Sequence, residues 1–131
     1  MQTEPNNTDT SKSDMRSHAD AMSLPMNAVV SRLITLLGAT TVAVIGGVTE
    51  TRAVTQWTDG RVPQRPNVLR FALQIAAMIG GDEDTEIVRA WFAGSNPHLD
   101  DQIPMLMLRD RPLNEISASM MTAARAFASR D

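Results

Sequence analysis

The chain is 131 residues long, carries 12 basic and 15 acidic side chains for a formal charge of −3, and contains no cysteine. That length buries one modest core, and the missing thiols exclude a disulfide framework and thiolate metal sites, which suits a cytoplasmic protein. Charge is distributed unevenly, with two cations against four acids in residues 1–24, five arginines against two acids in 25–80, and five arginines against nine acids in 81–131. An acidic protein with a basic middle can offer that middle to an anionic polymer and its acidic end to something else.

Residues 1–24 are polar, acidic and poor in large aliphatic side chains, so they bury too little surface to offset the entropy of ordering and read as a disordered tail. From Pro25 onward the pattern is helical. Pro25 suits a helix start, apolar positions at Val29, Val30, Leu33, Ile34 and Leu37 fall at i, i+3, i+4 spacing, and Gly38 ends the run. The apolar stretch from Val29 to Val48 raises a membrane question, but Arg32 and several hydroxyl residues interrupt it, and a buried core helix explains it without lipid. A short second helix is predicted over Thr40 to Ile45, a third over Glu50 to Thr58 ending at Gly60, and a fourth over Pro66 to Ile79, stopped by Gly80 and Gly81. The β-branched run Thr40 to Val48 could be a strand, but it has no second strand to pair with and is assigned as helix. A fifth helix is predicted from Asp84 to Ala93, with Asp82, Glu83, Asp84 and Glu86 crowding its first turn, where carboxylates cap free N–H groups and meet the positive end of the dipole. A sixth follows Pro104, and a seventh fills Leu113 to Ala128. The expected architecture is all-α, in two halves at 25–80 and 81–131 behind the tail.

The second and third helices flank the glycines Gly46 and Gly47, giving a short helix, a glycine turn and a helix that opens on polar residues. This is the order of a helix-turn-helix, with Ala43 allowing close packing and Ala53, Val54 and Trp57 seating the second helix on the first. The side chains expected on its outer face are Thr49, Glu50, Thr51, Arg52, Thr55 and Gln56. Arginine and glutamine are types that read base edges, and threonine reaches phosphates, so Thr49, Thr51, Arg52, Thr55, Gln56, Arg61 and Arg65 are the candidate DNA contacts. Against this, Trp57 is better explained as a core anchor than as a base-stacking residue, and the arginines equally suit a solvated face.

The most informative segment runs from Trp91 to Asp110. Gly94 suits the left-handed position that stops a helix, and Ser95, Asn96 and Pro97 forbid its immediate continuation. Trp91 and Phe92 are neighbours on one helix and point in different directions, so one is expected in the core and the other at the surface. His98, Asp100 and Asp101 crowd four residues but lack the second ligand cluster a metal site needs, so they read as a polar loop. The methionines at 105, 107, 120 and 121 read as core filler, with Met105 the candidate for an interface. No nucleophile–base pair, phosphate-binding glycine loop or calcium loop is present, so an enzyme, a cofactor and a metal are not expected.

The order of Trp91, Gly94, Asn96–Pro97 and Leu99, then Pro104 and the leucines and methionines up to Asp110, resembles the toxin-binding domain of the Xre/MbcA/ParS-type antitoxins. The glycine turn with Trp57, Gly60 and Pro63 resembles the Xre-like half of the same family, with the turn-to-Trp distance one residue longer than in typical Xre repressors. The resemblance covers about residues 27 to 130. It implies an antitoxin whose partner is a cognate RES-domain toxin acting on NAD, held as a homodimer or as a hetero-oligomer with the toxin, and with operator DNA as an additional partner. The implied mechanism is occlusion of the toxin's NAD cleft by the loop, the sixth helix and the C-terminal helix. Its candidate contacts are Trp91, Phe92, Gly94, Asn96, Pro97, Leu99, Asp100, Asp101, Pro104, Met105 and Leu108, with Arg125, Arg130 and Asp131 reaching into the cleft. The alternative expectation is a stand-alone helix-turn-helix DNA-binding regulator.

Overall fold

The computed structural model describes residues 23–130, so the predicted tail up to residue 22 and the C-terminal Asp131 lie outside the described residues. Within that span there are seven helices and no strands: α1 (Met26–Leu37), α2 (Ala39–Gly46), α3 (Thr51–Thr58), α4 (Pro66–Ile79), α5 (Thr85–Ala93), α6 (Pro104–Asp110) and α7 (Leu113–Ala128). The all-α class expected from the sequence is therefore observed. None of the described helices is long and apolar enough to cross a membrane.

Proline and glycine set the helix bounds. Pro25 and Pro112 occupy the N-cap positions of α1 and α7, and Pro66 and Pro104 open α4 and α6, where a missing backbone N–H costs nothing. Gly38, at φ 87°, breaks α1 from α2, and Gly47, at φ 79°, caps α2 in the left-handed region. The run from Thr40 to Ile45 is helical despite its β-branched content, because both its neighbours in the chain are helices and it packs on α1, α3 and α4. At α5 the Asp84 carboxylate accepts the backbone N–H of Ile87 at 3.1 Å, the N-cap expected of the acidic cluster. The folded region begins slightly earlier than predicted. Leu24, assigned to the tail, packs against the core, and its carbonyl accepts a hydrogen bond from Arg70 at 2.7 Å.

Helix α4 is the axis of the fold, with α1 and α7 packed along it and α2 alongside. Its apolar positions are not one narrow stripe: Val68, Leu69, Ala72, Leu73, Ile75, Ala76, Met78 and Ile79 are all buried, as a helix covered on several sides requires. Ile116, Met120, Ala123 and Ala124 of α7 close the core from the C-terminal side. Each fully buried aliphatic side chain contributes about 1.5–3 kcal/mol relative to exposure, so neither half stands without the other's apolar face. The two halves read from the sequence share a single hydrophobic core.

At the junction of α2 and α3, Trp57 is 4% exposed and lies against Gly46. A Cβ added at Gly46 would stand 2.6 Å and 2.9 Å from two atoms of the Trp57 ring. Gly46→Ala is therefore expected to destabilise by about 1–3 kcal/mol, since neither the ring nor helix α2 has room to retreat. Urea unfolding measures this, and a loss under about 0.5 kcal/mol would show the contact to be slack.

Three arginines act as staples across the fold. Arg89 donates to the carbonyls of Leu36 and Thr35, both at 3.1 Å, and so satisfies the C-terminal end of α1. Arg65 donates to Ile45 at the end of α2 and to Leu108 and Arg109 at the end of α6, at 3.0, 2.7 and 3.0 Å. Arg70 holds Leu24. In addition, Arg32 pairs with Asp82 at 3.2 Å across the surface.

Candidate partner-binding site

The staples change the reading of the basic middle block. Arg65, a candidate phosphate contact, is directed into the protein, where a planar guanidinium can serve three carbonyls at once. Thr49, Thr51, Arg52 and Thr55 are exposed around α3 as predicted, and Gln56 is half-buried. One of these groups is turned to its own helix, the Thr55 hydroxyl donating to the Thr51 carbonyl at 3.4 Å, and the neighbouring Thr58 hydroxyl donates in the same way to the Thr55 carbonyl at 2.6 Å. The exposed cations near this face are Arg52 and Arg61, and Glu50 and Asp59 stand exposed beside them. A face with two cations and two carboxylates offers little net attraction to a phosphate backbone.

The segment after α5 forms a self-bonded loop. Asn96 N–H donates to the Gln102 carbonyl at 3.0 Å, while the N–H groups of Leu99 and Asp101 donate to the Asn96 carbonyl at 2.9 and 2.8 Å. Gln102 N–H closes back on Leu99 at 3.0 Å, and the Asn96 side-chain oxygen accepts from His98 N–H at 2.9 Å. Asn96, expected among the toxin contacts, is instead 7% exposed and holds the loop from inside. The left-handed position expected at Gly94 is also elsewhere. Gly94 is extended, at φ −101° and ψ 158°, and the left-handed residues are Asp100 and Asp101, at φ 55° and 63°. Aspartate tolerates this region better than most residues, but two in succession store strain that the surrounding hydrogen bonds must hold. The outcome is a rigid ridge with Pro97, His98, Asp100 and Asp101 exposed at its crest.

Several predicted contacts lie under this ridge. Trp91 and Phe92 are both buried, at 7% and 0% exposure, with their rings edge to face at a centroid distance of 5.3 Å. One of them was expected at the surface. The chain folds back over α5, so that the ridge and the end of α7 cover the side of the helix that Trp91 occupies. Leu99 and Leu108 are 4% and 0% exposed, and Pro104 is buried, so all three serve the protein's own packing. Gly94, Pro97, Asp100, Asp101, Arg125 and Arg130 are exposed, and Met105 is half-buried against the core. Met107 and Met120 are buried, as core filler should be.

Two clefts flank the ridge. The first, of about 350 Å³, lies between Ser95–His98 and the C-terminal turns of α7, with Trp91 as its floor and Phe127 and Arg130 at its edge. There the Arg130 guanidinium sits 3.8 Å above the Phe127 ring and donates to the Phe127 carbonyl at 2.9 Å. The second, of about 280 Å³, is formed by Asp101–Ile103 with Leu106, Met107, Asp110 and Arg111. Arg109 grips Asp110 with two hydrogen bonds, at 2.6 and 2.8 Å, and these hold the Asp110 carboxyl below the usual carboxylate range. Asp110 therefore presents a charged edge to this cleft. Among the described residues no group of histidine and carboxylate side chains is arranged to hold a metal ion. No family model, curated protein or solved structure matches the chain.

Proposed function

We propose that the protein is an antitoxin that neutralises a RES-domain, NAD-consuming toxin by occupying its cleft, with the Pro97–Asp101 ridge and its flanking clefts as the docking surface. The observation that carries this reading is the ridge itself. Two adjacent left-handed aspartates, fixed by a closed set of backbone hydrogen bonds, hold carboxylates in a preset position between two apolar hollows. Preorganised polar groups around apolar sites are the arrangement that binding by occupancy needs, since little conformational freedom is left to lose on association. The carboxylates would meet the cations that hold NAD phosphates in the toxin. Autorepression through α3 is the second reading. Its outer face carries Thr51 and Arg52 in suitable places, and a second copy or the toxin would have to supply the missing positive charge.

The test is NAD consumption by the toxin titrated with this protein at several NAD concentrations. Occlusion requires that excess NAD compete, and inhibition unaffected by NAD would overturn the mechanism. Asp100→Asn and Asp101→Asn keep a residue that accepts the left-handed backbone while removing the charge, so the fold should survive. Each is expected to weaken the complex by about 1 kcal/mol or less, because the groups are exposed. Met105→Asp places a carboxylate where an apolar contact is expected and should cost about a hundredfold in affinity, read by calorimetry, with circular dichroism as the check on folding. Wild-type affinity in all three variants would remove the ridge and α6 from the interface.

A further inference from the structure

One polar side-chain atom is buried without a hydrogen-bond partner among the described residues: the indole nitrogen of Trp91. Native proteins rarely leave a buried N–H unmet, and those they do leave call for a reason. Trp91 is also the floor of the cleft between Ser95–His98 and the end of α7, whose edge is formed by Phe127 and Arg130. Arg130 has no carboxylate partner among the described residues, and its guanidinium is bound to the Phe127 ring and carbonyl. The cleft therefore brings together Trp91, whose N–H is covered, an apolar lining from Pro97, Ala123, Ala126 and Phe127, and a cation at the rim with no carboxylate partner among the described residues.

We propose that this cleft is a binding site for a small apolar carboxylic acid, whose ring or branched aliphatic body lies against Pro97 and Ala126 and whose carboxylate accepts from the Trp91 indole and from Arg130. The space suits the assignment, since about 350 Å³ is at the lower end of small-ligand sites and takes a group of one aromatic side chain's size. A peptide main chain is a poorer occupant. The loop's own N–H groups at Asn96 and His98 are already committed within the loop, so no row of backbone partners remains to hold an extended strand. Access to the indole nitrogen requires part of the wall to give way. The last turn of α7 is that part: Phe127 is half-buried, Arg130 is exposed, and a terminal turn frays most readily because its carbonyls lack helical partners. On entry, the ligand exchanges the Arg130 contact with the Phe127 ring for a charge-assisted hydrogen bond and gives the indole its missing acceptor. The cleft is one of the two beside the ridge in the docking surface proposed above, but acid binding requires no toxin, so its test stands or falls independently of the antitoxin reading.

The chain contains two tryptophans, so a ¹⁵N-labelled sample of the full protein gives two indole resonances, and Trp57, far from any role here, serves as the internal control. With 3-phenylpropionate as the probe, the Trp91 indole proton should move downfield in a saturable way, with Kd around 1 mM or tighter, while Trp57 stays in place. The corresponding amide, 3-phenylpropionamide, should bind about tenfold more weakly, and Arg130→Gln should weaken the acid about fivefold without affecting the amide. Trp91→Phe keeps the apolar floor and removes the donor. Ligand-detected saturation transfer should then show about tenfold weaker binding, with an unchanged Trp57 resonance certifying the fold. An unmoved Trp91 resonance at about 10 mM acid, or equal binding of acid and amide, would overturn the proposal. So would tighter binding of the tripeptide Gly-Gly-Phe than of 3-phenylpropionate, which would assign the cleft to a peptide C-terminus.

Discussion

Leu99→Asp is expected to unfold the protein. Leu99 is 4% exposed, in the 3-10 turn Pro97–Leu99 that packs on α7, and no cation is hydrogen-bonded or paired within that turn among the described residues. A carboxylate there would be buried without a partner, at a cost of several kcal/mol, on top of the roughly 2–5 kcal/mol lost with the leucine side chain. Small domains hold only about 5–15 kcal/mol in total, so the variant should be largely unfolded at 37 °C. Leu99→Ala supplies the graded comparison, with an expected loss of about 2–4 kcal/mol by urea titration. A cooperative, wild-type-like transition for Leu99→Asp would mean that the ridge can lift off α7 as a unit. The consequence for function is direct. Loss of partner binding in Leu99→Asp, or in a truncation that removes α6 and α7, would report lost core packing rather than a lost interface, because Ile116, Met120, Ala123 and Ala124 belong to the common core. Exposed positions such as Asp100 and Asp101 separate the two, and the half-buried Met105 does so only with folding checked alongside affinity.

The helices were legible because their ends are written in proline and glycine. Pro66 and Gly80 bound α4, and Leu113–Ala128, opened by Pro112, is the seventh helix both as predicted and as observed, since proline and glycine act locally on the backbone. Trp57 was legible as a core anchor for a similar reason, its apolar stripe being local to α3. What the sequence hid depends on chain segments meeting from a distance. The fates of Arg65, Arg70 and Arg89 are set by backbone carbonyls up to 54 residues away, and a carbonyl acceptor leaves no trace in residue type. Those arginines therefore counted as surface charge until the fold placed them. The left-handed turn was expected at the glycine and occurs at Asp100 and Asp101, because the closure of the loop between Asn96 and Gln102, rather than the ease of any single residue, decides where the backbone must reverse. Two features did point toward the ridge: the Asn–Pro pair after a helix stop, and consecutive aspartates, a type that tolerates the left-handed region.

Arg65→Met carries the second large expectation, a loss of about 3 kcal/mol in unfolding free energy with the slope of the denaturant transition unchanged. Methionine retains the apolar stem and removes the guanidinium, so packing is largely conserved and the hydrogen bonds are what is lost. Three carbonyls lose their donor, those of Ile45 and Leu108 being partly buried. Hydrogen bonds to a charged group contribute about 1.5–3 kcal/mol each, but three that share one side chain do not add, and water will reach the Arg109 carbonyl, which is exposed. Arg65→Lys should recover about a third of the loss, since an ammonium can donate to one or two of these acceptors but cannot span all three with a rigid fork. The position of the staple makes a further demand. It joins the end of α2 to the end of α6, and α6 supplies Leu106, Met107 and Asp110 to one of the two clefts beside the ridge. Amide exchange should therefore accelerate more in α6 than in α1 or α4, with partner affinity falling alongside the local loosening. If stability falls as expected but α6 exchanges at the wild-type rate, the staple supports the fold as a whole and has no special part in holding the docking surface.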